Sequence, residues 1–117
     1  MNSKIIFADE KLEKAFSGLE KSDPIKKALI RAIETIKQDP RTGRNVKKKL
    51  IPKELRKKYE IDNLRIYNLP NAWRMIYTIT SDGIQLIAVI LDWMNHKDYE
   101  KLFNFILNLL SLTEIIS

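Results

Sequence analysis

Apolar and polar residues alternate with two different periods along the chain, which separates helices from strands. An apolar stripe at helical spacing runs through "SDPIKKALIRAIETIKQDP", where Asp23 is a suitable N-cap and Pro24 suits the first helical position. A strand, "SKIIFA", comes earlier, followed by a helix that Asp9 can cap and that runs to about Leu19. We therefore expect a strand and then a helical hairpin.

The second half of the chain has the two-residue period of strands. "LRIYNL" (64–69) and "WRMIYTI" (73–79) are predicted strands joined by a short turn. "SDG" is a hairpin turn in which Gly83 supplies a positive φ angle. The next run, "IQLIAVIL" (84–91), is almost continuously apolar, which is typical of a central strand covered on both faces. These strands predict an antiparallel meander.

The order of elements predicts an α+β fold. An N-terminal strand, a helical hairpin and the meander give a sheet of about four strands, and a C-terminal helix follows from about Lys97. A chain of 117 residues is expected to form a single domain over 1–117. Residues 103–117 are expected to form an apolar helical extension, with more apolar residues than one packing face needs. The remaining apolar residues are expected to pack against another protein, against a second copy of the chain or into the chain's own core.

Composition excludes several classes of function. The chain has no cysteine, one histidine and three glycines, so thiolate metal sites, histidine-pair metal sites and glycine-rich phosphate loops are not expected. We predict no metal and no cofactor. The most apolar stretch, "LFNFILNLLSL", has 11 residues, whereas a membrane span needs about 20. The absence of cysteine and of a signal peptide favours a cytoplasmic protein without a membrane segment.

The net positive charge of the chain is concentrated in one segment. Residues 41–58 carry nine basic side chains and one acidic side chain, while the whole chain has a formal net charge of +6. More than the entire net charge therefore belongs to "RTGRNVKKKLIPKELRKK". Such a block favours binding to polyanions, and nucleic acid is the first candidate. A solvated loop in a lysine-rich protein is the alternative interpretation.

An arginine in a predicted core strand, Arg74, raises a question of chemistry. Arginine is seldom fully buried unless it is paired. Metal-free RNA cleavage needs a base for the 2′-hydroxyl, a cation for the phosphate and an acid for the leaving oxygen. Basic and aromatic side chains can do this work. The candidates in this sequence are Arg65, Tyr67, Arg74, His96 and Tyr99.

Each of these residues also has an ordinary structural interpretation. Arg74 can pair with Asp92 or Asp62. A lone histidine after a strand, such as His96, is more often structural or exposed, and Tyr99 can be a core aromatic residue. The functional hypothesis therefore depends on the whole set.

Three segments carry a resemblance to a known family: "LRIYNLPNAWRMIYTI", "IQLIAVILDW" and "NHKDYEKLF". Together with the order of elements, they resemble the RelE/ParE superfamily of toxins from type II toxin–antitoxin systems, over roughly residues 3–105. "WRMIY" followed by "HKDY" is the most specific part. The resemblance implies a RelE-like fold and, in the RelE-like branch, an endoribonuclease that cleaves mRNA on the ribosome and inhibits translation.

The resemblance also assigns roles to residues. Arg74 aligns with the arginine that contacts the scissile phosphate, and Arg65 with the first of two catalytic strand lysines. His96 falls near a second catalytic basic residue, and Tyr99 resembles the late tyrosine that stacks on a base or orients the RNA. Tyr67 stands in place of the second strand lysine, which leaves the general base open. The residues expected to bind RNA are Arg44, Lys47, Lys48, Lys49, Arg56, Lys57, Lys58 and Tyr67.

Partners follow from the same resemblance. They are a cognate antitoxin protein, which wraps the sheet and helices, and the ribosome with its mRNA. A homodimer through the C-terminal helix is an alternative assembly. Two other functions remain open: inhibition of DNA gyrase, as in the ParE-like branch, and binding of RNA or protein without catalysis.

The predicted catalytic site depends on the register of one hairpin. If Leu69 pairs with Arg74 or Ala72, then Arg65, Tyr67 and Arg74 share a face of the sheet. If Leu69 pairs with Trp73, Arg74 lies on the opposite face and the composite site does not form.

Overall fold

The computed structural model describes residues 3–103. An α-helix, here α4, begins at residue 96 and continues to residue 103, the last described position. The other elements are β1 (Lys4–Phe7), α1 (Glu10–Ser17), α2 (Pro24–Gln38), β2 (Arg44–Asn45), α3 (Lys53–Tyr59), β3 (Arg65–Asn68), β4 (Arg74–Ser81) and β5 (Leu86–Met94), with 3₁₀ turns at Lys48–Leu50 and Pro70–Ala72.

The strands form one mixed sheet in the order β1-β5-β4-β3-β2. Strand β1 runs parallel to β5, and the other neighbours are antiparallel. The predicted α+β class and the meander of β3, β4 and β5 are confirmed. The described sheet has five strands where about four were expected, because the basic segment contributes the two-residue strand β2.

The N-terminal helices begin where the sequence predicts. The Asp9 carboxylate accepts a hydrogen bond from the Leu12 amide at 2.8 Å, and the Asp23 carboxylate accepts one from the Ile25 amide at 2.9 Å. These bonds satisfy amide groups that have no partner in the first turn of a helix. Helix α1 ends at Ser17, two residues before the predicted end, and Gly18 is its C-cap.

Strand β5 is central, as predicted, with β1 on one side and β4 on the other. The β4–β5 turn contains Gly83 with a φ of 88°, so the predicted positive φ is confirmed. The register between the two strands shifts between Ile76 and Tyr77, which marks a β-bulge.

Each face of the sheet carries its own core. Helix α2 packs on one face, here called the helix face, with Leu29, Ile36, Met75 and Tyr77 at its centre. Helices α3 and α4 pack on the other face, here called the cleft face. Its core contains Val46, Leu55, Ile66, Ile76, Leu91 and Phe103.

The beginning of the C-terminal helix is confirmed within one residue of its predicted start. The Asn95 side chain caps it, accepting a hydrogen bond from the Asp98 amide at 2.9 Å. Phe103 is buried against the cleft face. The predictions for the rest of the apolar extension, 104–117, lie outside the described residues.

Candidate nucleic-acid interface

The register of the β3–β4 hairpin decides which side chains can share a site. Asn68 pairs with Arg74, Tyr67 with Met75 and Arg65 with Tyr77. The Leu69 amide donates to the Trp73 carbonyl at 2.8 Å, which continues the same register into the turn. Directly opposed residues project to the same face. Arg65 and Tyr67 therefore lie on the helix face, and Arg74 lies on the cleft face.

The prediction that Arg65, Tyr67 and Arg74 form one composite site is therefore wrong. The turn that joins the strands has three residues, and two of them, Asn71 and Ala72, have positive φ values of 59° and 62°. This turn brings Leu69 opposite Trp73. A different turn would shift the pairing by one residue and exchange the faces, because side chains alternate with a period of two.

Arg65 binds the protein's own backbone. Its Nη1 donates to the carbonyl oxygens of Arg41 and Gly43 at 2.9 and 2.7 Å. The half-buried Tyr67 packs against the helix-face core. The interaction predicted for Arg65, with a phosphate beside Arg74, is replaced by a clamp on the segment before β2. The RNA contact predicted for Tyr67 is likewise not at the Arg74 site.

On the cleft face, Tyr99 joins two arginines. The guanidinium carbon of Arg74 lies 5.0 Å from the centre of the Tyr99 ring, within the range of a cation–π contact. Arg44 reaches the same residue from β2, and its Nη2 donates to the Tyr99 hydroxyl at 3.3 Å. Strand pairing explains why, since Arg44 lies opposite Ile66 on the cleft face. The sequence placed Arg44 among the RNA-binding residues but did not place it beside Tyr99.

Arg44 and Tyr99 border an open cleft, whereas Arg74 contacts Tyr99 but does not line the cleft. Its volume is about 360 Å³, and its walls combine basic side chains with an apolar floor. Arg44, Asn45, Val46, Lys47, Leu50, Ile66, Tyr99 and Phe103 line it.

The two arginines keep capacity for an anion. Within residues 3–103, neither Arg74 nor Arg44 forms an ion pair, so the predicted alternative of a pair with Asp92 or Asp62 is not observed. The Arg74 Nη1 donates to the Trp73 carbonyl at 3.2 Å, but its buried Nε has no hydrogen-bond partner among the described residues. Buried donors are nearly always satisfied, and an unsatisfied one at a functional surface is a candidate for ligand binding. Guanidinium groups suit phosphate oxygens in geometry and charge.

The Tyr99 ring is already in contact on the protein side. Besides the Arg74 guanidinium, it packs against Phe103 with 4.9 Å between ring centres. These contacts occupy ring surface that the predicted stacking on a base would need. Tyr99 thus contacts both Arg44 and Arg74, and it brings the two arginines together.

His96 is exposed at the first turn of α4. Its Nε2 lies 2.6 Å from the Glu100 Oε1, one helical turn away. A carboxylate bound to one ring nitrogen restricts the orientation of the imidazole. His96 lies three residues before Tyr99 on the same helix.

The predicted RNA-binding lysines and arginines do not form one patch. Lys47 lines the Tyr99 cleft, whereas Arg56 donates to the carbonyl of Lys48. Lys49 and Lys57 are exposed. The Lys58 ammonium lies 5.2 Å from the Tyr59 ring, and its hydrogen bond with Tyr59 raises the pKa of that ammonium. Lys58 lines a separate cleft with Asp9 and Asp92.

Tyr77 was not singled out by the sequence, although it joins the helix face to the segment before β2. Its buried hydroxyl accepts from the Gly43 amide at 2.8 Å and donates to the Pro40 carbonyl at 2.6 Å. Burial raises the pKa of the Tyr77 phenol, and the Gly43 amide and the Arg65 charge only partly oppose that shift. The alternation of "WRMIYTI" assigns Tyr77 to a buried face but does not identify its partners.

Residues 3–103 show neither a metal-binding cluster nor a membrane-spanning helix. This part of the chain holds no cluster of three or more histidine, cysteine, aspartate or glutamate side chains placed to bind a metal ion. None of its helices has the length and apolar content needed to cross a bilayer. Comparison with known proteins finds no matching family model, no matching curated protein and no matching solved structure.

Proposed function

We propose that this protein is a type II toxin of the RelE-like kind, which acts in the cytoplasm as a metal-independent endoribonuclease on ribosome-bound mRNA. The observation that carries the proposal is the pair of arginines on Tyr99. Arg74 and Arg44 contact one phenol from two strands, and the buried Nε of Arg74 has no partner within the described residues. A phosphodiester supplies both the negative charge and the acceptor oxygens that this pair lacks.

The reaction that suits this site is transfer of a phosphoryl group to the neighbouring ribose oxygen. The RNA 2′-oxygen forms a bond to phosphorus as its proton passes to a base, and the bond from phosphorus to the 5′-oxygen breaks as that oxygen takes a proton. The products are a 2′,3′-cyclic phosphate and a 5′-hydroxyl end. Arg74 and Arg44 stabilise the charge that develops on the phosphate oxygens.

His96 is our candidate for proton transfer. Imidazole can accept and return a proton near neutral pH, and the Glu100 carboxylate at 2.6 Å holds its orientation. Lys47, on the cleft wall, can hold a flanking phosphate through its charge.

A second candidate is a module that binds RNA through the same cleft without cleaving it. The hairpin register favours it, because Arg65 and Tyr67 lie on the helix face and cannot complete a catalytic set around Arg74. Both candidates use the same arginines, so they differ in turnover and not in the binding surface.

The proposed partner is an antitoxin that covers the cleft. Residues 41–58 carry nine basic side chains and one acidic side chain, so an acidic antitoxin segment complements this surface. Such a segment would compete with RNA for the same arginines. A homodimer through the apolar C-terminal segment is the alternative assembly.

Purified protein added to ribosomes programmed with a defined mRNA tests the proposal. We expect cut mRNA that ends in a 2′,3′-cyclic phosphate, with Arg74→Ala as the inactive control. RNA binding without cut mRNA would select the non-cleaving module. Inhibition of DNA gyrase supercoiling without RNA binding would contradict both and select the ParE-like alternative.

A further inference from the structure

The segment that leads into β2 is held from the helix face by two side chains. Arg65 donates to the carbonyls of Arg41 and Gly43, and Tyr77 accepts from the Gly43 amide and donates to the Pro40 carbonyl. Arg65 and Tyr77 lie directly opposite each other on β3 and β4. Four hydrogen bonds therefore converge on the backbone of four residues, 40–43.

Gly43 shows how closely this contact is packed. It is buried, and a β-carbon at this position would lie 2.6 Å from the Tyr77 hydroxyl oxygen. Only glycine brings the backbone this close to the phenol. Both the amide and the carbonyl of Gly43 are bound on the helix face, so the orientation of its two peptide groups is fixed.

The next residue, Arg44, projects to the other face. It pairs with Ile66 and reaches Tyr99 across the cleft. Strand β2 has only two residues, so its own ladder gives it little stability. An exposed arginine on so short an edge strand needs another restraint to present its guanidinium in one place.

We propose that Arg65 and Tyr77 are positioning residues: by clamping 40–43 on the helix face, they hold Arg44 against Tyr99 in the RNA-binding cleft. The inference rests on the proposed function for its ligand, and on the described hydrogen bonds for its mechanism. Arg65 then acts on RNA only through Arg44. The clamp lowers the conformational freedom that Arg44 would lose on binding, so the benefit appears in affinity.

The mechanical half of the proposal is measured without RNA, by hydrogen exchange at the Gly43 amide. Arg65→Ala should speed that exchange about tenfold or more, because two of the four anchoring bonds are lost. Arg65→Lys should restore part of the protection. Arg41→Ala is the matched control: it removes a charge from the same segment but keeps the carbonyl that Arg65 binds, so exchange should stay at the wild-type rate. Wild-type exchange in Arg65→Ala would overturn the clamp.

The functional half is a double-mutant cycle on binding of a short single-stranded RNA. Arg44→Ala should weaken binding roughly tenfold or more, as expected for a lost charged hydrogen bond. Arg65→Ala should weaken it by no more than that, and should add nothing in the Arg44→Ala background. Additive losses would show that Arg65 contacts RNA itself and would overturn the positioning role.

The two halves separate failure of the clamp from failure of the proposed function. If Arg44→Ala leaves RNA affinity unchanged while Gly43 exchange responds to Arg65→Ala, the clamp stands and the RNA-binding cleft is wrong. If Arg44→Ala weakens binding while Arg65→Ala changes neither exchange nor affinity, the cleft stands and the clamp is wrong.

Discussion

The two faces of the sheet use similar side chains for different purposes. On the helix face, Arg65 donates two hydrogen bonds to carbonyls, and the hydroxyl of Tyr77 has both a donor and an acceptor. On the cleft face, Arg74 lies over Tyr99 with its Nε unpartnered within residues 3–103. Each face thus has an arginine and a tyrosine, but within residues 3–103 only the cleft-face arginine has a buried donor nitrogen without a hydrogen-bond partner.

The two arginines therefore differ in their hydrogen-bond partners and not in residue type, and this difference is the basis of the proposed binding site. A satisfied guanidinium stabilises the fold, and a ligand must break those bonds before it can use the same donors. An unsatisfied one offers its donors at no such cost. Arg65 and Arg74 were equal candidates in the sequence, and their hydrogen-bond partners separate them.

The largest expected effect separates the two arginines in catalysis. Arg74→Ala should lower single-turnover cleavage on programmed ribosomes by about 10²–10³, because one cation is lost from the transition state. Arg74→Lys should recover only part of the rate, since lysine lacks the planar fork of donors. Arg65→Ala at saturating protein should lose much less of the rate, because Arg65 acts only through Arg44. Equal losses in the two alanine variants would contradict the assignment of roles by face.

The next effect concerns stability on the helix face. Tyr77→Phe leaves the buried Gly43 amide and Pro40 carbonyl without their partner, which should lower the free energy of unfolding by about 1–3 kcal/mol. Tyr67→Phe is the matched control, because Tyr67 lies on the same face of the sheet but is only half-buried. It should change the free energy of unfolding by less than about 0.5 kcal/mol. Urea unfolding measures both. A Tyr67 variant that loses as much as the Tyr77 variant would refute the special role of the Tyr77 hydroxyl.

The alkaline pH dependence of stability should also depend on Tyr77. Burial raises the pKa of its phenol above the ordinary value of 10.0, so the folded state holds this proton more tightly than the unfolded state. The stabilisation is fully present below pH 10 and is lost as the pH rises through the raised pKa. Tyr77→Phe should therefore lose less stability than wild type above pH 10 in urea unfolding series. Parallel curves for the two proteins would count against this cause.

The smallest expected effect is a difference between two lysines of the basic segment in the salt dependence of RNA binding. Lys47 lines the Tyr99 cleft, whereas Lys58 lines a different cleft beside Asp9 and Asp92. Lys47→Ala should reduce the salt dependence of single-stranded RNA binding by roughly 0.7 in the logarithmic slope, as for one lost phosphate contact. Lys58→Ala, which removes the same charge, should leave the slope as it is. Equal changes would mean that the charge acts without regard to position.

The sequence predicts those parts of the fold that depend on local signals. Asp9 and Asp23 are local capping signals, Gly83 is a turn signal, and β5 is a continuous apolar run, so each was located within a few residues. Strand β2 was missed because two residues in a basic segment carry no strand period and form a strand only by pairing with β3.

The candidate site was predicted only in part for the same reason. Arg74, Tyr99 and Arg44 were singled out by type, but Arg65 was assigned to the wrong face. That face is set by the β3–β4 turn, in which the left-handed conformations of Asn71 and Ala72 shift the pairing. A one-residue change in register leaves the composition of a strand intact and reverses its faces, so local pattern alone does not determine it.

Side-chain NMR of the arginines tests the central claim most directly. The probe is a short RNA that carries 2′-O-methyl groups, which removes the nucleophile and prevents cleavage during the titration. The Nε–H resonances of Arg74 and Arg44 should shift in proportion to the bound fraction, and that of Arg65 should stay in place because its guanidinium remains on the carbonyls of Arg41 and Gly43. A shift of Arg65 with no change at Arg74 would contradict the account, since RNA would then occupy the opposite face of the sheet.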